Sequence, residues 1–384
     1  MNATRLALVV VLVLVLVVEA HGVEAGAPRR FVVAQDGSGD FNGKDEKPVV
    51  EALASAGKAG GTIVIQPGTY LIRSVIRLRS NVVIEGTPET ILRLPSPTLT
   101  TGAAEKGGRL LAVGSAAEMA AGTTVEVCPP GSKTHFPKDG EQPLRVKVAA
   151  VEGSTLRLAE PLPRAVPAKS RVGYANNVFF VGGSERNIVL RNLILDGGRA
   201  KGVAMPGHTH RCALLAHGIW GYKEGPTAPP IENLQVLDCA IRHCYGRAVA
   251  MYSVVRARIE GCRIEDIADE AIDFDHFCTH GVAARNTVSD SVTGVTINDG
   301  SYCIVEHNRF TRCGVGVTIW WWHMCPQKDI DVENKIRHNT IVAPKRAGIS
   351  IGKRCFRNEV TGNTVEGGIR VAERDNVVKD NVLR

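Results

Sequence analysis

The sequence predicts an all-β fold, a parallel β-helix in which each coil of short strands stacks on its neighbours. Three observations carry that expectation. First, a six-residue pattern built on a small residue followed by apolar-x-apolar recurs down the C-terminal half. Its copies are HGIWGY from His217, RAVAMY from Arg247, EAIDFD from Glu270, TGVTIN from Thr293, VGVTIW from Val315, AGISIG from Ala347 and GGIRVA from Gly367. Second, asparagines recur at Asn286, Asn308, Asn339, Asn363 and Asn381, with Cys239 and Cys262 in the same place two copies earlier. The steps from Cys239 are 23, 24, 22, 31, 24 and 18 residues, and two independent ladders of one period are the signature of a solenoid. Third, Val and Ile dominate the coils, Gly and Asn punctuate them, and no helix-length amphipathic run fits inside one.

Side chains alternate along a strand, so the third and fifth residues of each copy point inward and the fourth and sixth outward. The asparagine ladder reads as scaffold, because Asn tolerates the left-handed backbone of a turn and can bond the next amide in the stack.

Taken in order, the chain opens with Arg5 and an unbroken apolar run from Leu6 to Val18, followed by small-residue sites at Ala20 and Ala25. That run is shorter than the ~20 residues a membrane helix needs. Residues 1–25 therefore read as a cleaved signal peptide, with an uncleaved anchor as the alternative, and the mature protein as secreted or cell-surface with no membrane attachment after cleavage. Residues 30–95 read as an N-terminal cap and the first coils. Within them a helix over Pro48–Lys58 covers the open end of the solenoid, and the strand text GTIVIQPGTYLI follows at once. Between 96 and 171 the period is lost and alternating strands with Pro and Gly turns suggest an inserted β subdomain. Coils occupy 172–384, interrupted by loops at Gly197–Ala216, which carries His208 and His210, and at Lys223–Pro230. Cys278, Cys303, Cys325 and Cys355 are spaced as a stack on successive coils, fit for adjacent-coil disulfides or for buried thiols but not for tetrahedral zinc.

The net charge of +7 is spread along the chain without a Lys/Arg block. This argues against nucleic acid and for an acidic polysaccharide as the partner.

Among the copies only EAIDFD carries two acids. Asp273 and Asp275 share one outward face, on the order of 6.5–7 Å apart along an extended strand. That lies at the lower edge of the separation at which one acid protonates a glycosidic oxygen while the other activates water. Crowding of like charges raises one pKa and supplies the acid. Asp275 with Asp299 is a second pair, and His276 stands beside them. Tyr222, Tyr252, Asp275, Asn298 and Trp320 fall on one outward line, aromatic platforms on either side of a carboxylate, which suits a sugar chain. His323 and the basic pair Lys353 and Arg354 follow on later coils, where a cation could hold a substrate carboxylate. In the rival chemistry, β-elimination, Asp273 and Asp275 would hold Ca²⁺ and Lys353 or Arg354 would take the C5 proton. The non-functional alternative is that the acids only keep a β surface soluble.

The text GGTIVIQPGTYLI, the phrase NLILDGG and the asparagine-ladder coils resemble the pectin lyase-like superfamily of right-handed parallel β-helix proteins. That resemblance implies a right-handed helix and an extracellular lyase, hydrolase, esterase or epimerase of acidic polysaccharides, or a non-catalytic surface protein. The order Asp275, Asp299, His323, Lys353 is similar to the polygalacturonase layout of acid, paired acid, histidine and base. Here Asp273 stands for an Asn, Asn298 for an Asp, and the glycines beside the histidine are absent. Asp275-His276 loosely resembles the Asp-Pro-His motif of alginate epimerases, and FVVAQDGSGDF the opening of pectin methylesterases, whose later signatures are missing.

Overall fold

A computed structural model describes residues 29–132, 138, 142–174, 177–199, 211–323, 325, 327 and 330–384. The leader and the loop histidines His208 and His210 lie outside the described residues. Among the described residues no helix is long and apolar enough to cross a membrane.

The fold is a right-handed parallel β-helix, the hand that parallel crossovers on twisted strands prefer. Successive coils place one strand in each of three parallel sheets of thirteen, ten and nine strands. One coil runs Arg258–Glu260, Arg263–Ile267 and Glu270–Phe274, and the next runs Val282–Ala284, Thr287–Ser289 and Thr293–Asn298. Their partners stay in register in all three sheets, with Ile259 beside Ala283, Ile264 beside Val288 and Ile272 beside Val295. The inward places of the repeat, Val249, Met251, Ile272, Phe274, Val295, Ile297, Val317 and Ile319, are fully buried in one continuous core. The helix Lys47–Ala56 closes the N-terminal end by burying Val49, Ala52, Leu53 and Ala56.

One copy of the repeat lies elsewhere than the text suggests. The coil strand before Val249–Tyr252 is Leu214–His217, paired Leu214 to Val249 and His217 to Tyr252. The residues Gly-Ile-Trp-Gly-Tyr that follow leave the sheet. Trp220–Gly221 pairs back on Gly225–Pro226 as a small antiparallel hairpin. The short-range pattern matches by composition, but the register is set by the neighbouring strands, and His217 rather than Tyr222 heads the outward column.

The ladder asparagines bond the next amide in the stack as expected, but they are not themselves the left-handed residues. The left-handed residue is the one before each: Arg285, His307, His338 and Asp380 have φ of 55°, 57°, 55° and 56°. The asparagines bond along the stack. Asn286 donates through its backbone N and its Nδ2 to Asn308 Oδ1 at 2.9 and 3.0 Å, and through Nδ2 to the Ile259 carbonyl at 2.9 Å. Asn308 repeats the arrangement onto Asn339, and Asn339 onto Asn363. A second ladder runs through Asn334, Asn358 and Asn376, headed by Cys303, whose N donates to Asn334 Oδ1 at 2.9 Å. Cys303 therefore belongs to that ladder and Cys325 to a connecting segment, so the four cysteines do not form a single row. All ten cysteines are buried free thiols.

Between Thr98 and Gly173 the chain leaves the helix. It forms a six-stranded sheet of antiparallel pairs around its own core of Val125, Val127, Leu156, Leu158 and Val172. An ion pair between Glu126 of this sheet and Arg211 ties it to the coils.

Asn308→Ala removes two donors and an acceptor from a buried stack and leaves the Asn286 backbone N without a partner. The expected cost is about 2–4 kcal/mol of unfolding free energy, read as a lowered urea midpoint. The control Glu51→Ala, exposed on the capping helix, should move it by less than about 0.5 kcal/mol.

Candidate functional site

The outer face of the nine-stranded sheet gathers most of the acids, and each arrives from its place in a coil. The pairings His217–Tyr252, Phe274–Ile297 and Asn298–Trp320 put Asp275 in a column with His217, Tyr252, Asn298 and Trp320. Strand steps of ~4.8 Å make neighbours in that column touch.

The face is not open. Asp273 is 0 % and Asp275 2 % exposed, because a buried cation and an aromatic roof cover them. Arg247, which heads the RAVAMY copy, lies across both acids. Its Nη1 is 2.6 Å from Asp273 Oδ2 and 2.8 Å from Asp275 Oδ2, its Nε is 2.8 Å from Glu270 Oε2, and Nη1 also donates to the Tyr252 hydroxyl at 2.5 Å. The Asp273 contact is an ion pair off the N–H axis, so both Asp273 oxygens lack a hydrogen bond. Sharing one nitrogen holds the two carboxylates closer than the extended-strand spacing predicts.

Burial pushes Asp273 well above the ordinary carboxylate range, which Arg247 only partly offsets. Burial also pushes Asp275 upward, but Arg247, the His276 ring and the His276 backbone N–H outweigh it and hold Asp275 below its ordinary value. The two acids are thus driven in opposite directions, Asp273 toward the protonated form and Asp275 toward the ionised one, the split that like charges in one site favour.

Beside them stands a second pair. His276 Nδ1 lies 2.6 Å from Asp299 Oδ2, and Asp299 Oδ1 accepts from the Trp322 backbone N at 2.9 Å. A carboxylate on Nδ1 fixes the tautomer and aims Nε2. That Nε2 is buried, has no hydrogen-bond partner and lies 3.4 Å from Asp275 Oδ1. Asp275 Oδ1 also accepts from Asn298 Nδ2 at 2.7 Å and from the His276 N at 2.9 Å. Behind Asp299, Asp331 accepts from the Gly300 N at 3.2 Å and is raised well above the ordinary range, first by burial and then by Asp299.

The roof is aromatic. Trp220 of the hairpin lies parallel to Tyr252 with ring centres 5.9 Å apart and stands 4.8 Å from His276. Tyr222 meets His276 edge-on at 5.3 Å, and Trp322 covers it at 4.9 Å.

The other sequence-selected residues lie farther out. Trp320 continues the column at 38 % exposure. His323 is exposed and its ring lies 6.2 Å from that of Trp322, because the chain has left the strand by then. Lys353 is exposed, and Arg354 is stacked over Trp321 at 3.8 Å. Both follow a strand three steps beyond Asp275, ~14 Å along the axis, and do not join the acids. The residues the sequence reading passed over are Arg247, Asp269, Glu270, Trp220, Trp322 and Asp331. Only Arg247 carried a textual hint, as a cation one copy ahead of the acids.

The residues do not fit Ca²⁺. Asp273 and Asp275 both turn to the Arg247 guanidinium, which occupies the place a cation would take. Among the described residues no group of three or more side chains of metal-ligating type is gathered.

With this geometry in place, residues 177–334 match a family model described as the right handed beta helix region. That match covers less than half of the chain and agrees with the right-handed parallel β-helix described above. A structure of XylC with xylose is similar at 11% identity and a TM-score of 0.54, covering 93% of this chain and 70% of that one. An exopolygalacturonase from Thermotoga maritima is 12% identical, covers 88% of this chain and 70% of its own, and has a TM-score of 0.45. DFA-IIIase from Arthrobacter chlorophenolicus A6 is 11% identical, with coverages of 93% and 94% and a TM-score of 0.46. At such identities the likeness is one of fold. No curated protein matches the chain.

Burial, and next the Glu270 carboxylate, push Asp269 up to about 7. The folded chain then keeps a proton that the unfolded chain has already lost, so this group costs stability as pH rises from about 4 to 7. Asp269→Asn should remove that decline. With its partial exposure discounted, the variant gains about 2 kcal/mol on wild type between about pH 4.5 and 7.5, measured as the difference in urea midpoints.

Proposed function

We propose that the protein is an exported carbohydrate-active enzyme that cleaves glycosidic bonds by hydrolysis at the Asp275, His276 and Asp299 cluster. One observation carries this reading. A buried imidazole clamped by Asp299 aims an uncommitted Nε2 at the point where an ionised carboxylate, Asp275, also lies. In this reading His276 moves the proton at the glycosidic oxygen. Asp275 supplies the negative charge, as nucleophile or as the group that activates water. Asn298 orients Asp275, and Arg247 keeps it ionised. The aromatic roof of Trp220, Tyr222 and Trp322 supplies sugar-stacking faces, and it must part to admit a chain. Export rests on the Leu6–Val18 run, and the carbohydrate class is also supported by the fold shared with the xylose-bound XylC structure.

The same free Nε2 favours a second reading, in which His276 takes a proton beside a uronic carboxylate and the product leaves by β-elimination or C5 epimerisation. The acidic polysaccharide expected from the net charge belongs to that reading.

Incubating the purified protein with a panel of neutral and uronic polysaccharides, while following reducing ends and near-ultraviolet absorbance together, separates the two. Hydrolysis gives reducing ends without absorbance, and elimination gives an unsaturated sugar that absorbs. Silence in both, with binding retained and the C5 configuration of the uronic sugars unchanged by NMR, would make the molecule a binding solenoid. His276→Ala and Asp299→Asn should each lower turnover by ~10²–10⁴-fold while changing the urea midpoint little in the Asp299 variant, which keeps the side-chain shape.

A further inference from the structure

We infer that the sugar unit seated at Asp275 and His276 carries no negative charge, so that the residue whose bond is broken is a neutral sugar and not a uronic acid. This rests on the carbohydrate reading above and narrows its substrate class. Three features of the site carry it.

The first is the charge balance. Glu270, Asp275 and Asp299 crowd around Arg247 and His276, and Asp269, Asp273 and Asp331 are pushed toward the neutral form by burial and by neighbouring carboxylates. The cationic groups acting on Asp275 are Arg247 and His276. Arg247 is already spent on Glu270, Asp273 and Asp275, and His276 on Asp299. An incoming carboxylate would meet like charge in a water-poor site and, among the described residues, no free cation beside the acids.

The second is hydrogen-bond type. The buried groups left without partners at this point include Asn298 Oδ1 and His276 Nε2. Asn298 Oδ1 can only accept. A sugar hydroxyl can meet His276 Nε2 as donor or as acceptor. Sugar hydroxyls also donate to Asn298 Oδ1, whereas an ionised carboxylate only accepts and leaves that oxygen unsatisfied.

The third is where the cations are. Lys353 and the Trp321-stacked Arg354 follow a strand three steps from Asp275, ~14 Å away. An acidic group there would belong to a different unit of a chain lying along the axis. A neutral unit at the acids also lacks the carboxylate that β-elimination needs, which leaves hydrolysis.

The test uses matched probes: gluco-, galacto- and manno-oligosaccharides and the same oligosaccharides oxidised at C6 to uronic acids. Binding is read from tryptophan fluorescence, since Trp220 and Trp322 lie over the site, and turnover from reducing ends. The expected result is that at least one neutral member is bound and cleaved, with its oxidised counterpart at least ~100-fold poorer. An oxidised member that equals or exceeds its neutral partner overturns the inference and leaves the carbohydrate reading standing. If no member of either set binds or turns over, the carbohydrate reading falls and the inference with it.

Discussion

Everything in this molecule depends on the backbone ladder between coils. Each strand bonds the strand one coil on at a spacing of ~4.8 Å, so residues 22 to 31 positions apart in sequence become lateral neighbours. That is how Asp275 meets Asn298, His276 meets Asp299, and Asn286 meets Asn308. A one-residue slip would turn every inward Val and Ile outward, and the continuous apolar core opposes it. The asparagine stacks oppose it as well, since each side chain satisfies a backbone donor on the preceding coil and its own amide is satisfied by the next.

On that frame one guanidinium determines the electrostatics of the outer face. Arg247 sits among Glu270, Asp273 and Asp275, where unpaired carboxylates would repel and draw in protons. It cannot neutralise all of them equally. Asp275 has additional donors from Asn298 and the His276 backbone and is held below its ordinary value; Asp273 has none and is pushed up. The difference between two acids two residues apart comes from donor geometry, not from depth, since both are buried.

The fold was legible in the sequence because a solenoid writes its period twice, once in apolar places and once in asparagines. The alternation that sends Asp273 and Asp275 outward follows from the same period. What lies over that face was not legible. The roof is built by segments that leave the repeat, the hairpin at Trp220 and the stretch after Trp320, and a period has nothing to say where it is broken. Composition also misled at His217, where HGIWGY imitates a copy while the strand is Leu214–His217. Arg247 shows the other limit. Its charge stands in plain text, but that it would be buried against three acids depends on inter-coil register and on the hairpin that seals it. His323 and Lys353 have the right residue types in the right order, yet the chain turns away before it can bring them in.

The buried thiols have a consequence for how the chain must be made. Ten cysteines lie in the folded interior, each lifted by burial toward unreactivity, and none bonded to another. That protection exists only once the coils have stacked, because an unfolded chain presents all ten to any oxidant at ordinary reactivity. Wherever this protein meets an oxidising environment before its coils close, productive folding is a race against mispaired sulfur bridges.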